Sequence, residues 1–204
     1  MKKAKDKNTE SKILEAAKSV FQTKGMDGAR MQEIADKAGI NKAMLHYYFR
    51  GKQLLFEAVF KNAFSLLSPQ LNTILNDESS IEDKIKNFTN NYISFITKHP
   101  YLPNFIFQEL NRNPEFISKI QKSIGFPSIE KFKKQLNIEI EKGILIPIKA
   151  EQLFINILAL NIFPFIASPL IKAITNTDNN SYEQLIEDRK IEVSTFIINS
   201  IKQK

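Results

Sequence analysis

An all-α fold is predicted by three features of the sequence. Ile, Leu and Phe recur at three- and four-residue spacing along most of the chain, the period of an apolar stripe on a helix. Only six Gly interrupt these patterns, and no Cys is present to frame a small disulfide fold. At 204 residues and 43% hydrophobic, the chain can bury a sizeable core, as one domain or as a small domain beside a larger one.

Met1 to Asn8 is basic and reads as a mobile arm. The first helix runs from about Thr9 to Lys24, with Ile13, Ala16, Ala17, Val20 and Phe21 as its stripe. Thr9 and Ser11 are its candidate caps, and Gly25 closes it. Ile34, Ala35 and Ala38 then mark one face of a short helix, and Gly39 supplies the positive φ that a sharp exit needs. Asn41 is placed to cap a second short helix, whose apolar side is Leu45 and Phe49. Lys42, Ala43, Met44, His46 and Tyr47 face outward. Helix, short Gly-containing turn, helix is the grammar of the helix-turn-helix, whose second helix enters the DNA major groove.

A long helix follows from about Gln53 to Leu67, apolar at Leu55, Phe56, Val59, Phe60, Ala63 and Leu67. If the pattern continues through Leu71, Ile74 and Leu75, Pro69 marks a kink rather than an end. Beyond a polar break, Ile81 to Lys98 carries Ile85, Phe88, Tyr92, Phe95 and Ile96 inward and stops at His99-Pro100. Shorter helices are expected over Tyr101 to Asn111, Pro114 to Ile124 and Ser128 to Lys142. Ala150 to about Ile174 forms a nearly uncharged helix, bent or broken near Pro164. The last helix, Tyr182 to Lys202, carries Leu185, Ile186, Val193, Phe196, Ile197 and Ile201, with Ile191 and Ile198 off that stripe, so two of its faces are expected to be covered. The total is about nine helices.

Charge is unevenly distributed. Residues 1 to 62 hold 13 Lys+Arg against 7 Asp+Glu, and residues 63 to 204 hold 16 against 15. Nearly all of the net +7 therefore lies beside the helix-turn-helix, where phosphates would be met. No apolar leader follows Met1, so the default compartment is the cytoplasm. Leu153 to Ile171 is 19 residues without a charge, near bilayer-spanning length, but it contains Asn156, Asn161, Pro164, Ser168 and Pro169. A helix buried between a core and a partner reads the same way, and no membrane role is expected.

The lead helix ILEAAKSVFQTKG, the I-A-x-x-A-G-I segment at Ile34 to Ile40 and the L-H-Y-Y-F-x-x-K-x-x-L segment at Leu45 to Leu55 together resemble the DNA-binding half of TetR-family transcriptional regulators. The resemblance covers about Thr9 to Phe60. Three positions depart from the common pattern. Ala43 stands where Gly, Ser or Pro is frequent, Arg30 where Thr or Ser caps the first helix of the motif, and His46 and Tyr48 where many relatives carry Tyr and His. These leave the operator sequence open. The resemblance implies a DNA-binding domain over residues 1–52 and a helical ligand-binding and dimerisation domain over 53–204, acting as a homodimer on a palindromic operator. It also implies that Tyr47 and Lys52 contact phosphates, Arg30, Lys42, Ala43, Met44 and His46 completing the DNA-contacting set. Alternatively Tyr47 partly packs and Lys52 only solvates a helix start, though a cation there opposes the helix dipole.

Sixteen Phe are present, ten between Phe88 and Phe165. Most serve as ordinary core. Phe88, Tyr92, Phe95 and Phe105, interleaved with Gln108 and Glu109, are the candidates for lining an effector cavity with a few convergent polar groups. Arg112 can equally pair with Glu109 at the surface. The resemblance further implies dimerisation through the last two long helices, where Phe154, Leu158, Val193, Phe196 and Ile197 are the candidate contact residues. Two isolated His without Cys offer no metal-ligand set, and no phosphate loop, nucleophile elbow or H-E-x-x-H motif occurs. Neither a cofactor nor an enzyme activity is expected. The resulting reading is a repressor released from DNA by a small, largely apolar or aromatic ligand. An activator, a regulator with a vestigial pocket and a sequence-independent architectural protein remain open alternatives.

Overall fold

The computed structural model describes residues 6–112, 118 and 127–203, and among these it contains ten helices and no strand. The helix expected over Pro114 to Ile124 lies outside the described residues, apart from residue 118. The chain forms two compact units, Met1–Ser65 and Leu66–Lys204.

The first unit holds α1 (Lys7–Gly28), α2 (Met31–Lys37), α3 (Lys42–Tyr48) and the first half of α4 (Lys52–Asn76). Helix α1 begins two residues before the expected Thr9, and neither Thr9 nor Ser11 caps it. Asp6 does, accepting the Asn8 N–H at 3.0 Å and the Thr9 hydroxyl at 2.9 Å. Those bonds hold the Asp6 carboxyl below the usual carboxylate range. Lys7 and Asn8 are thus helical rather than part of an arm. Gly25 does not end α1 but lies inside it, where its φ of +65° and ψ of 179° kink the helix before it runs on to Gly28. Ile13, Ala17, Phe21, Ile34, Leu45, Leu55, Phe56 and Phe60 are buried, and the rings of Phe21 and Phe56 meet edge to face at 4.9 Å. Leu55 to Phe60 therefore complete the first unit's core, so packing divides the chain further along than residue 52.

Helix α4 continues through Pro69 to Asn76. Pro69 lies on its exposed side, where water can take the carbonyl that the missing N–H leaves behind. The second unit continues with α5 (Ile81–Lys98), α6 (Leu102–Arg112), α7 (Glu130–Glu141), α8 (Ala150–Ile166), α9 (Ser168–Thr175) and α10 (Asn179–Ile201). Helix α5 is the central element, packed against α10, α8 and α7. Its start is over-determined. The Ser80 hydroxyl accepts the Asp83 N–H at 3.1 Å, and the Glu139 carboxylate of α7 accepts the Ile81 N–H at 3.0 Å. Lys84, fully buried, donates to the Asp77 carbonyl and, at 3.5 Å, to that of Ile74, closing the end of α4. Burial pushes the Lys84 ammonium down, against the pull of Asp77, Glu78 and Glu139.

The uncharged stretch is two helices, α8 and α9, bent by 75° at Ala167. No single helix among the described residues is long and apolar enough to cross a membrane. The cause of the break is in the prolines. Pro164 has no N–H for the Leu160 carbonyl, and Pro169 opens the next helix where its missing donor costs nothing. Helix α10 completes the repair. The Arg189 guanidinium donates to the Leu160 carbonyl at 2.6 Å, and the Tyr182 hydroxyl donates to the Pro164 carbonyl at 2.7 Å. Asn176, at φ +50°, ends α9 in the left-handed conformation that Asn tolerates, and Asp178 then caps α10 by accepting the Ser181 N–H at 2.8 Å. At the far end of α10, the Ile146 N–H donates to the Ile201 carbonyl at 2.8 Å and the Gln203 N–H to that of Ile144 at 3.1 Å, tying the chain end to the connector after α7.

Candidate nucleic-acid interface and helical body

Helices α2 and α3 form the turn that the sequence predicts. Gly39 takes φ +68°, and nothing lies within 4 Å of where a Cβ would sit, so backbone conformation rather than space demands glycine there. Asn41 caps α3, its side chain accepting the Met44 N–H at 2.7 Å. Leu45 is fully buried, and Tyr48 and Phe49 nearly so. These three anchor one face of α3 and leave Lys42, Ala43, Met44, His46 and Tyr47 together on the other, Met44 being 38% and Tyr47 54% exposed. The Tyr48 hydroxyl, at the inner side, accepts the Asp6 N–H at 3.1 Å and links the end of α3 to the start of α1.

Two cations sit apart from this face. Arg30 occupies the N-cap position of α2, exposed, and its side chain makes no capping bond. The Lys52 ammonium donates to the carbonyls of Asp27 and Ala29, 3.2 Å each. Its place at a helix start thus has a local cause. It satisfies carbonyls at the exit of α1, and this outweighs the unfavourable dipole of α4.

In the second unit, Phe88 and Tyr92 of α5 are buried and stack at 4.8 Å, and burial pushes the Tyr92 phenol up. Phe105 and Glu109 of α6 are also buried, with the Arg112 guanidinium 3.7 Å from the Glu109 carboxylate. Phe95 is half-buried against His99, and Gln108 points to solvent, which is at odds with a cavity lining. A separate groove of about 440 Å³ lies where the end of α5 faces the α8–α9 bend and the start of α10. Thr97, Phe165, Tyr182, Glu183 and Ile186 are among its walls. None of the sequence-derived effector candidates lines it.

The candidate dimer residues divide by burial. Val193 and Ile197 are spent on the unit's own core, and Phe154 and Leu158 are half-buried. Phe196, placed inward by the stripe, is instead 65% exposed, because it lies about a quarter-turn from the Val193–Ile197 line, on the side away from the buried Ser194 and Ile198. Ile155 and Phe163 of α8 and Ile191 of α10 are exposed as well. Sequence periodicity missed Ile155 and Phe163, since a helix apolar all round does not say which face its own chain covers, and of the two residues off the stripe of the last helix Ile198 is buried and Ile191 is not.

Residues 13–59 match the family model for bacterial regulatory proteins of the TetR family. The "Probable HTH-type transcriptional regulator YttP" of Bacillus subtilis is 30% identical over 134 residues, 65% of this chain and 64% of its own length. The IcaR negative regulator of the icaADBC biofilm operon of Staphylococcus aureus is 29% identical over 107 residues, 52% of this chain and 56% of its own. The DNA-binding part, residues 13–59, is of the TetR family. The chain spans somewhat under two thirds of the curated relatives that it matches. The fold is shared over nearly the full length with solved structures. An HlyIIR variant is 25% identical with a TM-score of 0.60, covering 97% of both chains, and a TetR-family regulator from Marinobacter aquaeolei is 13% identical with a TM-score of 0.62, covering 96% of both.

Proposed function

We propose that this chain is a sequence-specific DNA-binding regulator, a repressor that binds a palindromic operator as a homodimer and leaves it on binding a small, largely apolar or aromatic effector. The observation that carries the DNA-binding part is the outward face of α3. A cation, two apolar residues and two polar aromatics stand together on a short helix whose other side is fixed in the core. The name of the IcaR relative, a negative regulator, supports repression. The functional division after residue 52 puts the base and phosphate contacts in the N-terminal part, with Arg30, Lys42, Ala43, Met44, His46, Tyr47 and Lys52 as the contacting set. An ammonium has three donors, so Lys52 can keep both carbonyls and still offer one N–H to a phosphate.

The exposed apolar residues of α8 and α10, Ile155, Phe163, Ile191 and Phe196, support a homodimer contact, since so much apolar surface is uncommon on a monomer. Phe88, Tyr92, Phe95, Phe105 and Glu109 remain the proposed effector residues. An effector changes operator affinity only by its differential affinity for two conformations of the body, typically about 1–3 kcal/mol. Footprinting on duplexes selected by the protein tests the reading. A protected inverted repeat is expected, with affinity falling roughly 10³- to 10⁵-fold between about 50 and 200 mM salt if about six to ten phosphates are contacted. Uniform coverage without a unique site would instead indicate an architectural protein.

A further inference from the structure

We infer that Ala43 and Met44 read thymine through its 5-methyl group, so that each operator half-site carries a thymine whose methyl is required for tight binding. The inference rests on the DNA-binding role proposed above and assigns the chemistry that its reading face recognises.

The argument begins with what the face offers. Of the residues around α3, Leu45, Tyr48 and Phe49 are turned into the core and cannot reach a base. The Asn41 side chain, the obvious partner for adenine, has its oxygen on the Met44 N–H at 2.7 Å. Using that oxygen on a base would uncap the helix, so Asn41 is held back from bidentate adenine readout. What remains exposed is Lys42, Ala43, Met44, His46 and Tyr47. Ala43 and Met44 have no hydrogen-bonding side chain except the weakly accepting thioether, so they cannot read a donor or acceptor pattern. On a major-groove edge the one apolar feature is the thymine 5-methyl.

Their placement fits that partner. Ala43 lies four residues and Met44 three residues before Tyr47, so the three side chains share one helix surface. A small residue lets the backbone come close to the base edge, and the unbranched Met can settle over a methyl group in several rotamers. Lys42 at one end and His46 on the other side supply the polar readout around this apolar patch. Left uncovered, Met44 would keep an apolar side chain in water at a surface that otherwise presents polar groups. Covered by a methyl, it gains the free energy of a buried methyl-sized group.

The test uses the full-length protein and the duplex that it selects from a random pool. Each thymine of a half-site is replaced in turn by deoxyuridine, which removes the methyl and leaves every hydrogen-bonding group in place. One thymine per half-site is expected to weaken binding about fourfold on losing its methyl, the effect of about one buried methyl-sized group. Met44→Ala should lose most of that sensitivity, and Met44→Leu, which keeps an apolar side chain, should retain it. Because Met44 is exposed, both variants should melt like the parent. If a unique site is selected but no deoxyuridine substitution matters, or if Met44→Ala keeps the full sensitivity, the thymine assignment is overturned while sequence-specific binding stands. If no site is selected at all, the sequence-specific reading itself fails, and this inference with it.

Discussion

At the scale of single residues, Lys52 carries two duties in one side chain. Its ammonium is held 3.2 Å from each of two carbonyls, Asp27 and Ala29, and the third donor is proposed for a phosphate. Lys52→Ala should therefore lower stability by about 1 kcal/mol through the lost carbonyl bonds. It should also weaken binding to all duplexes alike and flatten the logarithmic salt slope by about one unit. Melting curves and salt titrations separate the two effects. An unchanged salt slope together with a lowered melting temperature would leave Lys52 with the structural duty only. Asn41→Ala is the complementary case. It removes a cap worth about 1 kcal/mol and should loosen α3 without altering the number of phosphates contacted.

At the scale of elements, the α8 bend shows how one helix completes another. Pro164 frees the Leu160 carbonyl, and Arg189 of α10 takes it at 2.6 Å. Arg189→Met should cost about 1–3 kcal/mol, the penalty of a half-buried carbonyl left without its partner. In a Pro164→Ala background the Ala N–H can take that carbonyl within the helix, so the same substitution should cost much less there. Equal costs in the two backgrounds, measured by denaturant unfolding, would show that Arg189 acts elsewhere. The cap of the same helix gives a pH signature. The Ser181 N–H holds the Asp178 carboxyl below its ordinary value near 3.8. A depressed carboxylate stabilises the fold above that ordinary value, and the contribution fades as pH falls through the lower folded value. Asp178→Asn keeps an oxygen acceptor but cannot titrate. Its melting temperature should therefore fall less than the parent's when pH drops from 7 to below about 3.8.

At the scale of the whole molecule, burial separates residues that hold the body together from those proposed to join two copies. Phe196→Glu and Phe163→Glu place a charge on an exposed apolar surface. They should yield folded monomers with weakened operator binding, seen by sedimentation and circular dichroism. Ile197→Glu places the charge inside the unit's core, where Ile197 is 2% exposed, and should unfold it instead. Folded, dimeric Phe196→Glu and Phe163→Glu proteins would remove this face from the proposed contact. The effector is tested by reciprocity. Operator DNA must weaken its affinity by the same factor by which it weakens DNA binding, and equal calorimetric affinities with and without operator would exclude the compound as inducer.

What the sequence determined by itself was local. The turn of the helix-turn-helix was legible because Gly39 and Asn41 act on their own neighbours, through a positive φ and a cap three residues on. The outward set on α3 was legible for the same reason, since Leu45 and Phe49 at a four-residue spacing fix one face and therefore the other. The end of α5 followed from the His99-Pro100 pair after it. Tertiary structure alone decided matters where the deciding partner is distant in sequence. Lys84 finds its partners in carbonyls at the end of α4, and Lys52, besides its proposed phosphate role, is held by the carbonyls of Asp27 and Ala29. Phe196 and Ile197 are adjacent and equally apolar, yet one is exposed and the other buried. Helical period assigns residues to faces, but which face is covered depends on where α5 and α8 pack, and only long-range contacts between elements determine that.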